Sequence, residues 1–299
     1  MTRPAAPVRR MLGRTGRTVF PVGLGAMPLS MGGRPDEAAA VATLHAAFDA
    51  GIDFVDTANV YCAGDDEIGH NERLIAKALS SWPGETITVA AKGGVDRRIR
   101  RVDASPWFLR QSCTDSLRAL GCEAIFLYQL HAPDAEIPFE DSIGELARLQ
   151  EEGKIAHIGL CNVSVAHLHA AQRIVRIESV QNACNPLDPE DYENGMLSAC
   201  QDQGVSFVPH SVIGGAHHHH ALARHPVLVD LAAKYRTTPY AVVIAWHLAQ
   251  SDCVIPIPGA SKPQTAAASA SAASLYLEDD DIAAVSALSR AEESVGAAG

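Results

Sequence analysis

Apolar residues in this chain recur in two rhythms that alternate from end to end. Short apolar runs of strand length are each followed by a longer stretch with helical spacing. After a polar leader, 11–19 carries a Gly-Arg-Thr-Gly turn and predicts a short hairpin. Strands are then expected at 22–25, 52–56, 86–91, 125–130, 156–160, 180–182, 205–209 and 254–257. Helices are expected at 36–50, 72–81, 106–120, 139–152, 164–176, 195–203, 226–250 and 263–274, several closed by a glycine such as Gly51, Gly121 or Gly153. Eight strand–helix units predict an α/β fold, a closed parallel (β/α)8 TIM barrel, preceded by the hairpin. No linker divides the chain, so 1–299 reads as one domain, with about 1–9 and 291–299 flexible. The apolar stretch 240–248 fits an outer barrel helix. Gly23-Leu24-Gly25 lacks the third glycine of a dinucleotide fingerprint, and Pro28 stands where its helix should begin.

Composition narrows the function. At 299 residues the length suits one such barrel, and a hydrophobic content of 47% excludes disorder. The net charge of -11, from 35 acidic and 24 basic residues, argues against nucleic acid. Seven scattered cysteines without a Cys-x-x-Cys pair predict reduced thiols and a cytoplasmic protein. No apolar run approaches a membrane span, and Met1-Thr2-Arg3-Pro4 carries no signal core.

Four polar residues stand at or just beyond strand-like runs: Asp56, Tyr61, Lys92 and His131. In a barrel such ends converge on one mouth. A phenol, an ammonium, a carboxylate and an imidazole gathered there can protonate a carbonyl oxygen as hydride reaches its carbon. Tyr61 is the candidate acid, and Lys92 is expected to lower its pKa from roughly 10. Asp56 would keep Lys92 charged, and His131 would place the carbonyl. Each alone has a plainer reading: a helix cap, an exposed lysine before a Gly-Gly turn, a buried histidine.

These residues lie in segments that resemble the aldo-keto reductases: Gly51 through Ala58 with Tyr61, Ala91-Lys92-Gly93-Gly94, and Leu127-Tyr128-Gln129-Leu130-His131. Asn71-Glu72-Arg73-Leu74-Ile75 is similar to the family's glutamate-led helix. The resemblance implies a barrel that binds NADPH/NADP+ rather than NADH and acts on a small carbonyl or sugar-like substrate. It implies that Cys161, Asn162 and Gln181 hold the nicotinamide carboxamide, with Cys161 where the family commonly has Ser. His210 stands where an aromatic ring stacks on the nicotinamide, and its imidazole is expected to titrate between about pH 5 and 8. Ser211, Ile213 and Gly214 fall in the segment that covers the pyrophosphate. Ser261 and Lys262 would meet the adenosine 2′-phosphate at a helix start, although Thr265, Ala268 and Ser269 replace other family contacts there.

The run His217-His218-His219-His220 reads as a solvated loop, with no metal expected. Arg97, Arg98, Arg100 and Arg101 fit either an anionic substrate or a solvated charge run. Two rival functions remain open, a Schiff-base lyase or aldolase built on Lys92 and a non-catalytic cofactor-binding subunit.

Overall fold

The computed structural model describes residues 7–289. In chain order the strands are β1 (Arg10–Met11), β2 (Thr18–Val19), β3 (Leu24–Gly25), β4 (Phe54–Asp56), β5 (Thr88–Gly93), β6 (Val95–Asp96), β7 (Arg101–Val102), β8 (Ile125–Leu130), β9 (Ile155–Cys161), β10 (Ser179–Gln181) and β11 (Ser206–Phe207). The helices are α1 (Glu37–Asp49), α2 (His70–Ser80), α3 (Pro106–Leu120), α4 (Phe139–Glu151), α5 (Val165–Gln172), α6 (Glu190–Glu193), α7 (Met196–Gln203), α8 (Gly215–Arg224), α9 (Pro226–Tyr235), α10 (Pro239–Gln250), α11 (Pro263–Ser271) and α12 (Asp279–Ser286).

Seven strands form one parallel sheet in the order β3-β4-β5-β8-β9-β10-β11. The expected eighth strand closes the barrel without registering as a strand. Its contacts are the parallel bridges Phe207↔Val254 and Gly25↔Gly259. The amides of Ile255 and Ile257 donate to Phe207 and Pro209 on one side, at 2.8 and 3.2 Å. On the other side the carbonyls of Pro256 and Pro258 accept from Gly23 and Gly25, at 2.9 and 3.1 Å. Those prolines have no N–H to return, so half of this ladder is missing. Gly25 itself is required by crowding, because a Cβ there would lie 2.9 Å from the Ile257 carbonyl.

The β1–β2 hairpin closes the opposite end of the barrel. Its turn donates from Gly13 N to Ser206 Oγ at 2.7 Å and from Arg14 N to the buried Glu178 carboxylate at 2.6 Å. Residues 1–6 and 291–299, which carry most of the predicted flexible ends, lie outside the described residues. Arg9 is tied down, pairing with Asp53 and donating to the Thr18 carbonyl at 2.8 Å.

Helix boundaries follow local chemistry. Asp36 accepts from Ala39 N at 2.8 Å to start α1, and Ser105 caps α3, which ends at Gly121 with φ 66°. The expected single helix over 226–250 is two. The backbone turns left-handed at Arg236 (φ 54°), and α10 restarts with Thr238 accepting from Ala241 N and Pro239 in its first turn. The histidine run belongs to a helix as well. Gly214 turns the chain at φ 86°, α8 begins at Gly215, and His219 Nδ1 meets the Gly215 carbonyl one turn back. Among the described residues no helix is long and apolar enough to cross a membrane.

Candidate active site

At the mouth, β4 ends on Asp56, β5 carries Lys92, and His131 directly follows β8. Tyr61 rides on the loop after β4. The Lys92 ammonium pairs with Asp56, donates to the Thr57 carbonyl at 3.1 Å and donates to the Tyr61 hydroxyl oxygen at 2.9 Å. The Tyr61 and His131 rings meet edge to face, with centroids 6.0 Å apart. All four predicted groups therefore converge, with Lys92 and Asp56 almost wholly buried behind Tyr61.

The electrostatics differ from the expectation in one respect. Burial outweighs the Lys92 charge at Tyr61, and the Asp56 carboxylate adds to it, so the phenol is pushed up to about 12 rather than below 10. Burial also opposes charge on Lys92, but Asp56 and Tyr61 prevail and raise its pKa. His131 is lowered to about 3 by burial, Lys92 and His210. Its buried Nδ1 has no hydrogen-bond partner among the described residues.

A cleft of about 700 Å³ opens over these groups. Of the residues assigned to a cofactor, Asn162, Gln181, His210, Ser211, Ile213 and Ser261 line it, together with Asp56, Tyr61 and His131. Three cofactor positions and the catalytic candidate Lys92 do not. Lys92 lies behind the phenol, Cys161 is buried in the barrel, Gly214 is buried before the start of α8, and Lys262 is exposed at the start of α11. A comparable cavity of about 670 Å³ at the other end of the barrel contains none of the four groups.

His210 is fastened at both nitrogens, with Nδ1 3.0 Å from Ser211 Oγ and Nε2 3.4 Å from Asn162 Oδ1. The neutral tautomer that fits donates from Nε2 to the amide oxygen and accepts the serine proton at Nδ1. Burial and Lys92 lower its pKa to about 4, which corrects the expected titration between pH 5 and 8. Asn162 adopts φ 55°, and its Nδ2 donates to the His131 carbonyl at 2.9 Å.

Several contacts were not foreseen. Gln129 and Gln181 both donate from Nε2 to Asp56 Oδ1, at 3.2 and 2.8 Å. Gln129 was readable only as a polar residue inside an apolar strand run. Asn71, in the first turn of α2, accepts from Thr57 Oγ1 at 2.6 Å and donates to the Ala26 carbonyl and Ser30 Oγ at 2.8 and 2.7 Å. It fastens the cleft wall formed by Met27, Pro28 and Met31 to the strand end behind Tyr61. Arg34 and Glu67 clasp the same wall to the Tyr61 loop at 2.6 and 2.8 Å.

The arginine run lies on the β6–β7 hairpin. Arg97 donates to the Ala63 carbonyl at 3.0 Å and reaches Asp65, Arg98 pairs with Asp96, and Arg101 pairs with Glu136. Its charge is thus largely neutralised within the protein.

The model of the Aldo/keto reductase family matches residues 21–290, nearly the whole barrel. The chain belongs to this family. It is 32% identical to a probable aldo-keto reductase 1 of Glycine max over 91% of this chain and 86% of that protein. It is 31% identical to an uncharacterized oxidoreductase of Schizosaccharomyces pombe, over 91% of this chain and 87% of that one. Its fold superposes on the glycerol dehydrogenase of Gluconobacter oxydans with a TM-score of 0.81 at 25% identity, covering 94% of each chain. Membership makes this aldo-keto reductase an oxidoreductase and accounts for the barrel.

Proposed function

We propose that this enzyme reduces an aldehyde or ketone, and oxidises the matching alcohol, with NADPH/NADP+ as cofactor and Tyr61 as the proton donor. The observation that carries the reading is the direction of the hydrogen bond at the phenol. Lys92 donates to the Tyr61 oxygen, so the hydroxyl hydrogen is left for an acceptor in the cleft. A pKa pushed up to about 12 keeps that hydrogen in place at neutral pH. When it leaves, the ammonium 2.9 Å away compensates the charge on oxygen. Neutral His131 edges the same spot and offers its imidazole to the carbonyl oxygen.

The residues fit a nicotinamide cofactor. Gln181 and Asn162 present amides to a carboxamide, and neutral His210 presents a ring beside them. Ser261 and the Gln264 amide in the first turn of α11 suit an anion, because Lys262 makes no side-chain cap there and Pro263 has no N–H. Lys262 serves as a point charge beside that helix start. The chemistry such a cofactor supplies when bound is hydride. The lyase alternative is disfavoured by Lys92 itself, since an amine held as ammonium by Asp56 is a poor nucleophile.

The test is a panel of small carbonyl and sugar-like compounds with NADPH, followed at 340 nm, with NADH alongside. Tyr61→Phe should lower turnover by roughly 10²–10⁴-fold while NADPH affinity stays within about twofold. A Phe variant that keeps half of wild-type turnover would remove Tyr61 from the role. A borohydride-trapped substrate adduct on Lys92 would restore the lyase.

A further inference from the structure

Barrel interiors are usually layered with branched aliphatic side chains. Directly beneath Asp56 this one is polar. Gln129, wholly buried on β8, donates to Asp56 Oδ1, while its Oε1 lies 3.4 Å from both Ser179 Oγ and Gln181 Nε2. Gln181, on β10, donates to the same carboxylate oxygen at 2.8 Å. On the strand between them stands Gly159. A Cβ there would come within 2.9 Å of Gln129 Cγ and would collide with Ser179 Oγ, so the glycine makes the room the carboxamides occupy. The two Asp56 oxygens are thus divided. Oδ2 takes Lys92, and Oδ1 takes the carboxamide pair.

We propose that Gln129 and Gln181 are positioning residues that hold Asp56 as the counter-ion of Lys92, and that Gln181 links occupancy of the cleft to that counter-ion. The kinetic part rests on the reductase reading, in which Lys92 acts on Tyr61. The carboxylate can only accept, so the amide nitrogens must face it. With its nitrogen so engaged, Gln181 has Oε1 left over, and its side chain lines the cleft. A ligand N–H arriving at Oε1 polarises the carboxamide and strengthens its N–H toward Asp56. A bound ligand can therefore be felt at Lys92 without touching it.

Lys92 is the one wholly buried lysine of five, so its ammonium should be resolved in spectra of protein labelled with [15Nζ]lysine. In cofactor-free protein, Gln129→Met should move that signal. The same variant should lower kcat about tenfold, the size of one hydrogen bond to a charged group, with NADPH affinity within about twofold. Gln129→Glu should regain kcat, relative to wild type, as pH falls, because its protonated form again donates to Asp56 and its ionised form repels it. If the Met variant does not fold, Ser179→Ala, which removes a donor to Gln129 Oε1, must still move the signal. A Lys92 signal unmoved by these changes overturns the proposal. A wild type that turns over no carbonyl compound overturns the reductase reading instead, and the ammonium signal still decides this one.

Discussion

Glu72 shows how far one side chain can depart from its usual state. It lies in the first turn of α2, wholly buried, and neither carboxyl oxygen makes a hydrogen bond of normal geometry among the described residues. Burial outweighs the help of the Ser116 hydroxyl and Arg73, and its pKa rises from 4.5 to about 7. The folded state then binds more protons than the unfolded chain between those values, so this contribution to stability is full below pH 4.5 and is lost as pH rises through 7. Glu72→Gln should therefore stabilise the protein more at pH 8 than at pH 5, by at most about 3 kcal/mol. Denaturation at both pH values measures it, and an equal gain at both would contradict a neutral Glu72. Tyr61, Lys92 and His131 were legible in the sequence only in combination with Asp56, at or just beyond successive strand ends and in segments that resemble one family, since each alone had a plainer structural reading. Gln129 was not, because an uncharged amide in a strand does not announce which face it occupies. Nor could residue spacing reveal that burial would outweigh Lys92 at Tyr61 and move His210 to about 4.

Between elements, the first turn of α2 is the joint that matters for the cleft. Asn71 extends the tie between the β3 loop and the end of β4 beyond the backbone bond from Ala26 N to the Asp56 carbonyl, because its amide donates and accepts at once. Asn71→Ala leaves the Ala26 carbonyl and the Thr57 hydroxyl without this partner, at a cost of about 1–3 kcal/mol. The wall at 27–33 should loosen, and subtilisin, a protease of broad specificity, should cut within it faster than in wild type. An unchanged cleavage rate would mean that Arg34 and Glu67 hold the wall unaided. Helices with sharp chemical ends, such as α3 between Ser105 and Gly121, were readable from sequence. The pair α9 and α10 was not, because one apolar pattern runs across both and hides the Thr238-Pro239 restart. The His217–His220 run misled for the opposite reason, since its composition suggested solvent while Gly214 and Gly215 start a helix.

At the scale of the molecule, alternation of strand and helix was enough to predict the barrel, whose core is spread around its circumference between sheet and helices. The alternation does not reveal how either end is sealed. Glu178 reads as one more acidic residue, yet it is buried beneath the N-terminal hairpin, paired with Arg176 and accepting the Arg14 amide. The closing stave was foreseen in place but not in quality, because an apolar run at 254–257 does not by itself show that Pro256 and Pro258 leave the ladder without donors.

A barrel with one half-laced seam behaves like a hoop with a single buckle. Gly25, Ile257 and Gly259 stand on either side of that buckle and form part of the cleft floor. Anything seated there bridges the first and last staves and acts as a staple across them. Amide hydrogen exchange should therefore be fastest, among the barrel strands, at Gly23 and Gly25, and saturating NADPH should slow these two far more than the amides of β8. Equal slowing around the whole ring would show that the hoop has no weak point and that the ligand tightens it evenly.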